Sequence, residues 1–479
     1  TNWMKIEGDP QQHYITRMEW SDASTLIVQQ LNRKQQESKL IYCNALSGLS
    51  KVFYAEKNDS WIENKNYWND DDPSGWEWLD NKKSFIWVSE KDGWRHLYKV
   101  SSDGKNETLL TKGNYDILNI RCIDETNNII YFMASPENAT QLYLYSVKMD
   151  GNSNAELLSP ADLKGWHDYA ISPNAKWARH SFSSNAVSPS KEWVSLPDHQ
   201  PVNEAKSIKA TMKLSKTNQV SYTRVTTKDG VTLDAWINAP KNFDSTKKYP
   251  VVFYVYGEPG SSTVEDKFGA HKNFLYKGDM SGDGYFQVSV DNRGTPSLKG
   301  SAWRKAIYRK IGIINIDDFA AGAQKIMEKP YFDKDRVAVW GWSGGAASTL
   351  NLLFRYPDVF KTGIAIAAIT NELNYDNVYT ERFMGLPQEN MADFIAGSPV
   401  TNAKNLKGNL LYIHGTGDDN VHYSNAEDLL NELIKYNKQF QFMAYPNRTH
   451  NISEGEGTGL HLSTLYTNFL KAHCAPGAK

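Results

Sequence analysis

Arg336-Val337-Ala338-Val339-Trp340-Gly341-Trp342-Ser343-Gly344-Gly345-Ala346-Ala347-Ser348-Thr349-Leu350 is the stretch that decides the fold. Residues 336–340 read as a strand, residues 346–354 as a helix, and between them stands G-x-S-x-G. That pentapeptide alone arises by chance roughly one time in six to eight in a chain this long, given ordinary Gly and Ser usage. Its context gives it weight. A strand running in and a helix running out make a sharp turn that lifts a serine hydroxyl clear of the backbone. The flanking glycines fit such a turn, because side chains there would strike the strand or the helix.

Working outward, nearly continuous apolar runs recur at residues 250–256, 286–290, 363–369, 409–413 and 440–445. Such runs are expected of strands buried on both faces. Helical patterns lie between them; in residues 424–436, Leu429, Leu430, Leu433 and Ile434 read as one face. Two further strands, 220–225 and 231–237, join around Asp229-Gly230. Strands alternating with helices predict a doubly wound, mostly parallel sheet. With the serine turn, residues 206–479 are expected to form an α/β-hydrolase catalytic domain.

A serine hydroxyl needs a base within hydrogen-bond reach, and in this fold the chain order is Ser, then Asp or Glu, then His. After the strand at 409–413 comes His414-Gly415-Thr416-Gly417-Asp418-Asp419-Asn420-Val421, with Asp418 and Asp419 both candidates for the acid. After the strand at 440–445 comes Asn447-Arg448-Thr449-His450, which makes His450 the base. Loops at the carboxyl ends of parallel strands are where such sheets place functional groups. His414 reads as a structural hydrogen-bonding residue, while His422, His461 and His473 have no evident partner. Acyl transfer also needs an oxyanion hole. The Gly344 amide is one natural donor, and the loop Tyr256-Gly257-Glu258-Pro259-Gly260 should supply the second. The Tyr256 hydroxyl can donate there, with core packing as the competing reading.

The first two hundred residues have a different grammar. Leu79-Asp80 leads into Phe85-Ile86-Trp87-Val88, Ile123-Asp124 into Ile129-Ile130-Tyr131-Phe132, and Ile171-Ser172-Pro173 into Trp177. Trp20-Ser21-Asp22 opens an earlier copy. The later starts lie roughly 45 to 48 residues apart, and Asp103-Gly104 and Asp150-Gly151 mark hairpins in phase with them. That period predicts β-propeller blades over residues 1–205, with a β-sandwich as the alternative. Four or five blades fit this length, so the propeller is expected to be incomplete at its N-terminal end. A polar stretch, residues 203–218, joins the two halves.

Composition narrows the partners. The 479 residues carry 53 Lys and Arg against 55 Asp and Glu, a net charge of −2, which argues against nucleic acid or an acidic membrane. Aromatics reach 12%, with Trp 15 and Tyr 26, in keeping with strand-rich packing. Cys43, Cys122 and Cys474 have no metal-ligand spacing and read as three buried thiols. No H-E-x-x-H occurs, so neither metal nor cofactor is expected. No run approaches the ~18 apolar residues of a membrane span, and no signal peptide is visible.

Several strings together resemble the prolyl oligopeptidase family, in particular its dipeptidyl peptidase IV branch. They are Val255-Tyr256-Gly257-Glu258-Pro259-Gly260, Asp291-Asn292-Arg293-Gly294, Val339-Trp340-Gly341-Trp342-Ser343, Val378-Tyr379-Thr380-Glu381-Arg382-Phe383-Met384-Gly385-Leu386-Pro387 and residues 414–422. In the first half, Ser89-Glu90-Lys91-Asp92-Gly93-Trp94-Arg95-His96-Leu97-Tyr98 belongs with them. The resemblance implies a propeller over a hydrolase, and a serine exopeptidase that releases dipeptides from N-termini after Pro or Ala. It implies Ser343 as nucleophile, Asp418 rather than Asp419 as acid and His450 as base, with Tyr256 and Gly344 in the oxyanion hole. Tyr375, Tyr379 and Val421 would wall the pocket for the residue before the scissile bond, while Arg382 and Asn420 would bind the polar end of the peptide. A homodimer through the hydrolase C-terminal region and a periplasmic or secreted location are also implied.

Three departures stand out. The branch commonly has Tyr after the nucleophile, where this chain has Gly344. A Trp expected upstream of Tyr375 is replaced within Asn371-Glu372-Leu373. The Glu-Glu pair with which the branch anchors the substrate amine is absent. The alternatives are a broader acyl hydrolase, such as an acylaminoacyl peptidase or esterase, and a silent hydrolase-like scaffold.

Overall fold

A computed structural model describes residues 2–63, 76–214 and 220–479. The C-terminal half is built on one eight-stranded sheet: β1 (Val220–Thr226), β2 (Thr232–Asn238), β3 (Tyr249–Tyr254), β4 (Phe286–Asp291), β5 (Phe332–Trp342), β6 (Thr362–Ile366), β7 (Asn409–Gly415) and β8 (Gln441–Tyr445). Their order across the sheet is β1-β2-β4-β3-β5-β6-β7-β8. β2 runs antiparallel to β1 and β4, and every other pairing is parallel. Alternate residues of each inner strand feed two separate cores, because successive side chains point to opposite faces. Val251, Phe253, Val337 and Val339 meet the helices Ile314–Ile326, Gly344–Arg355 and Ser424–Lys435 on one face. Val252, Ala338 and Trp340 meet the helix Thr458–His473 on the other. The apolar runs in the sequence are continuous for this reason. Ile434 departs from expectation: Leu429 and Leu433 are fully buried, but Ile434 is 65% exposed. Five residues beyond Leu429 is about 140° further round a helix, which carries it off the buried stripe.

The N-terminal half holds four antiparallel sheets among the described residues. Three have four strands, spanning residues 13–57, 76–109 and 117–157, and one has three, spanning residues 166–195. Each is a meander, and each packs on the next in chain order. Ile27 and Leu40 of the first meet Phe85 and Trp87 of the second. Ile86 and Leu97 meet Ile130 and Phe132 of the third. Met133 and Leu144 meet Tyr169 and Val194 of the fourth. This is the blade-like repeat read in the sequence. Gly104 shows how tightly the blades nest: at φ 73°, a Cβ on it would lie 1.9 Å from the Phe53 carbonyl oxygen of the preceding sheet. Past residue 205, Ile208 of the helix Ile208–Thr211 still packs on this half, against Leu163, Phe182 and Val187. The end of the polar stretch, residues 215–218, lies outside the described residues. Cys43 and Cys474 are buried, but Cys122 is only half-buried, because its strand lies at the edge of its sheet. No helix among the described residues is long and apolar enough to cross a membrane.

A buried ionic cluster ties the halves together. Arg304 donates to Glu90 through Nε at 2.9 Å and to Asp116 through Nη1 at 2.7 Å, and Lys305 reaches Glu90 at 3.0 Å. The backbone N–H of Gly300 adds a bond to Asp116 at 2.6 Å, and that of Ser301 one to the Gly93 carbonyl at 2.9 Å. The string around Glu90 thus works as a docking point for the hydrolase half. Removing one member of a buried ion pair strands the other, at a cost of about 3–5 kcal/mol. Arg304→Ala is therefore expected to lower the thermal midpoint, read by calorimetry; a shift within ~2 °C would contradict this role.

Candidate active site

β5 ends at Trp342 and the helix Gly344–Arg355 starts two residues later, leaving Ser343 alone in the turn at φ 59°, ψ −124°. A side-chain-bearing residue at positive φ is strained by about 1–3 kcal/mol and persists only where its surroundings hold it. Here the Ser343 N–H donates to the Ile366 carbonyl at 2.9 Å. The flanking glycines are required by contact. A Cβ on Gly341 would sit 2.2 Å from the Gly345 carbonyl oxygen, and one on Gly345 would sit 2.3 Å from that of Val255.

Asp418 and His450 come together from the loops after β7 and β8. His450 Nδ1 lies 2.8 Å from Asp418 Oδ2. The other carboxylate oxygen accepts the N–H groups of Asn420 at 3.0 Å and Val421 at 2.8 Å. Burial alone would raise the Asp418 pKa, but the hydrogen bonds from His414 and His450, with the Val421 amide, outweigh it and hold the carboxyl well below the usual range. An ionised acid at Nδ1 keeps the proton there and leaves Nε2 as the lone-pair nitrogen. Asp419, the other candidate, is exposed. The Trp342 indole N–H donates to the His450 carbonyl at 3.0 Å, joining the base loop to the serine turn.

His414 is wholly buried and structural. Its Nε2 lies 2.8 Å from the Val421 carbonyl, so that nitrogen carries the proton and Nδ1 accepts from the Tyr412 hydroxyl at 2.9 Å. It also stands 3.3 Å from Asp418 Oδ2, supporting the acid from behind. His461 does have a partner, the Tyr445 hydroxyl at 2.7 Å.

Tyr256 leaves the end of β3, its carbonyl held by the Ser348 hydroxyl at 2.9 Å. Burial pushes its phenol well above the ordinary value, the charge of Glu258 adds to this, and a hydrogen bond with Ser343 opposes it. The phenol therefore stays protonated at neutral pH and can donate beside Ser343. Gly344 supplies the first amide of its helix, which no carbonyl of that helix can pair. Tyr256→Phe is expected to lower kcat about 10²–10³-fold with a smaller change in KM, by steady-state kinetics; an unchanged kcat would remove Tyr256 from the oxyanion hole.

The residues expected to hold substrate separate into two groups. Tyr375 and Tyr379 stand edge to face, with centroids 5.3 Å apart. The Tyr375 hydroxyl donates to Asn420 Oδ1 at 3.1 Å, and Val421 packs with Ala347, Ile369 and Tyr375. Arg382 is instead engaged from the N-terminal half: its Nε donates to Gln35 Oε1 at 2.6 Å, and Gln35 Nε2 donates to the Val378 carbonyl at 2.6 Å. On the same helix, Asn377–Met384, Glu381 pairs with Arg33 and accepts the Tyr14 hydroxyl at 2.7 Å.

Arg33 and Gln35 sit in a polar turn without a motif, so nothing local in the sequence marks them. Glu258 stands in the loop Tyr256-Gly257-Glu258-Pro259-Gly260, where nothing local marks its carboxylate as part of the site. Its carboxylate accepts the Tyr379 hydroxyl at 2.9 Å and fills the space beside Gly344, where a Cβ would come within 2.6 Å of it. With a glutamate there, a side chain at position 344 has no space.

Residues 277–476 match the model of the prolyl oligopeptidase family, and residues 1–189 that of the dipeptidyl peptidase IV N-terminal region. An Arthroderma otae protein named as a probable dipeptidyl-aminopeptidase B is 30% identical over 444 residues, 89% of this chain and 47% of that protein. Dipeptidyl peptidase 4 of Trichophyton equinum is 31% identical over 417 residues, 84% of this chain and 52% of that protein. The chain thus spans about half the length of the curated relatives it matches. Among solved structures, Porphyromonas gingivalis dipeptidyl peptidase 4 superposes with a TM-score of 0.86 at 29% identity, over 98% of this chain and 65% of that one.

Proposed function

This chain belongs to the prolyl oligopeptidase family, and on that premise we propose that it acts as a serine exopeptidase that releases dipeptides from peptide N-termini through an acyl-enzyme. The observation that carries the reading is the Asp418–His450 pair, 2.8 Å apart, joined through Trp342 to a serine held at positive φ. His450 Nε2 takes the Ser343 proton as Oγ attacks the peptide carbonyl. The oxyanion is met by the Gly344 amide and the Tyr256 hydroxyl. His450 then gives the proton to the leaving amine, and water, deprotonated by the same nitrogen, cleaves the ester. Dipeptide release draws its support from the relatives, which are named for that activity.

A preference for Pro or Ala before the scissile bond would use Tyr375, Tyr379 and Val421 as walls. The chemistry behind those walls favours a different side chain. The test is fluorophosphonate labelling followed by mass spectrometry of products from an unblocked and an N-acetylated peptide. Labelling at Ser343 with dipeptides released only from the unblocked peptide is expected. Cleavage of the blocked peptide alone would make the chain an acylaminoacyl peptidase, and no labelling would sink the catalytic reading.

A further inference from the structure

Two glutamates fill the region where the aromatic residues of the branch are missing. Glu258 lies two residues beyond Tyr256, and Glu372 opens the short turn Glu372–Asn374, three residues before Tyr375. Each is only 2% exposed. Glu258 touches the site directly: its Oε2 accepts the Tyr379 hydroxyl at 2.9 Å and stands 2.6 Å from where a Cβ of Gly344, the neighbour of Ser343, would be. Glu372 is fixed through its backbone N–H, which donates to Ser398 Oγ at 2.9 Å. Its carboxylate has no hydrogen-bond or ion-pair partner among the described residues, and the one charge acting on it is that of Glu258. No Lys, Arg or His among the described residues offsets either carboxylate.

An arrangement like this is costly. Apolar side chains of similar volume would stabilise the same space at least as well, and a buried carboxylate without a cation is driven to neutralise. Burial pushes Glu258 up to about 7 against the Tyr379 hydrogen bond, and burial and the charge of Glu258 raise Glu372 well above the carboxylate range. The other titratable groups facing the pair, Tyr256, Tyr375 and Tyr379, are pushed up by burial and remain neutral. Nothing in the proposed mechanism uses either glutamate.

We propose that Glu258 and Glu372 form the floor of the pocket for the residue before the scissile bond, and that this pocket takes the cationic side chain of lysine or arginine. The inference rests on the dipeptide-releasing reading above. The carbonyl attacked by Ser343 belongs to the residue in this pocket, and the Gly344 amide that would hold its oxyanion adjoins Glu258. In dipeptide release the α-nitrogen of that residue is an uncharged amide, so its side chain is the cation that can reach the pair. An apolar occupant would leave two carboxylates buried and unpaired, which is how such a site rejects it.

The test compares p-nitroanilides of Ala-Lys, Ala-Arg, Ala-norleucine, Ala-Ala and Ala-Pro with those of single Lys and Ala, on the unmodified chain. Lysine and arginine are expected to exceed norleucine by about 10²-fold or more in kcat/KM. The lysine to norleucine ratio should rise with pH through about 7, as the pair loses its proton; the pH dependence of the triad is common to both substrates and cancels. Glu372→Gln should cut that ratio by about tenfold or more. Norleucine, Ala or Pro matching or exceeding lysine would overturn the acidic pocket and leave dipeptide release standing. Preferred cleavage of the single-residue anilides would overturn it too, by making the pair a site for a free α-amine. Fluorophosphonate labelling of Ser343 with no dipeptide anilide hydrolysed would instead overturn the reading beneath it.

Discussion

Ser343→Ala is expected to lower kcat by about 10⁵–10⁶-fold on any substrate the chain turns over, with KM changed little. The size follows from how the groups act. In the proposed mechanism the Ser343 oxygen forms the ester, His450 takes its proton and Asp418 orients His450, so losing the hydroxyl makes both idle. What survives is positioning and whatever the Gly344 amide and Tyr256 contribute, worth roughly 10³–10⁴ over water. The fold should persist. Alanine at φ 59° is strained much as serine is, and the backbone bond from residue 343 to Ile366 does not involve the side chain. Fluorophosphonate labelling should vanish while the thermal midpoint stays close to that of the parent. Residual turnover within tenfold of the parent would mean that the nucleophile lies elsewhere.

The second large effect is at Asp418. Asp418→Asn is expected to cost about 10⁴-fold in kcat with the loop geometry kept. An asparagine amide offered to His450 Nδ1 favours the tautomer with the proton on Nε2, so the nitrogen needed as base no longer has a lone pair. The backbone N–H groups of Asn420 and Val421 would still find an oxygen acceptor at position 418, which limits the structural damage. Asp419→Asn is the matched control. Its side chain is exposed beyond the pair, and kcat should move less than about threefold, as surface changes do. Equal losses at both positions would remove the distinction between the two aspartates.

Residues 336–354 carried their own structure because the strand period, the glycine spacing and the helix period are local properties. Each is a matter of a few dihedrals and of contacts within one strand–turn–helix unit. The blades were legible for the same reason, since hairpin turns such as Asp103-Gly104 impose positive φ locally and then recur. Sequence order also suggested that the acid and base would follow at the next strand ends. Between Asp418 and Asp419 it could not choose: adjacent residues in a loop differ by which way each side chain points, and that is set by the Asn420 and Val421 amides gripping one of them.

Chain order, periodicity and turn chemistry therefore determined by themselves that this protein pairs repeated antiparallel sheets with a mostly parallel hydrolase sheet, and where along the chain its candidate reactive groups lie. Tertiary structure alone decided what surrounds those groups. Glu90 and Arg304 become a buried ion pair only when the two halves dock. Arg382 becomes a partner of Gln35 in the same way, and Glu258 and Glu372, from the loops after β3 and β6, come within reach of each other's charge only in the folded chain. The physical reason is common to all three. Burial and through-space charge depend on what folding brings near, and no local pattern records which distant side chain will be the neighbour.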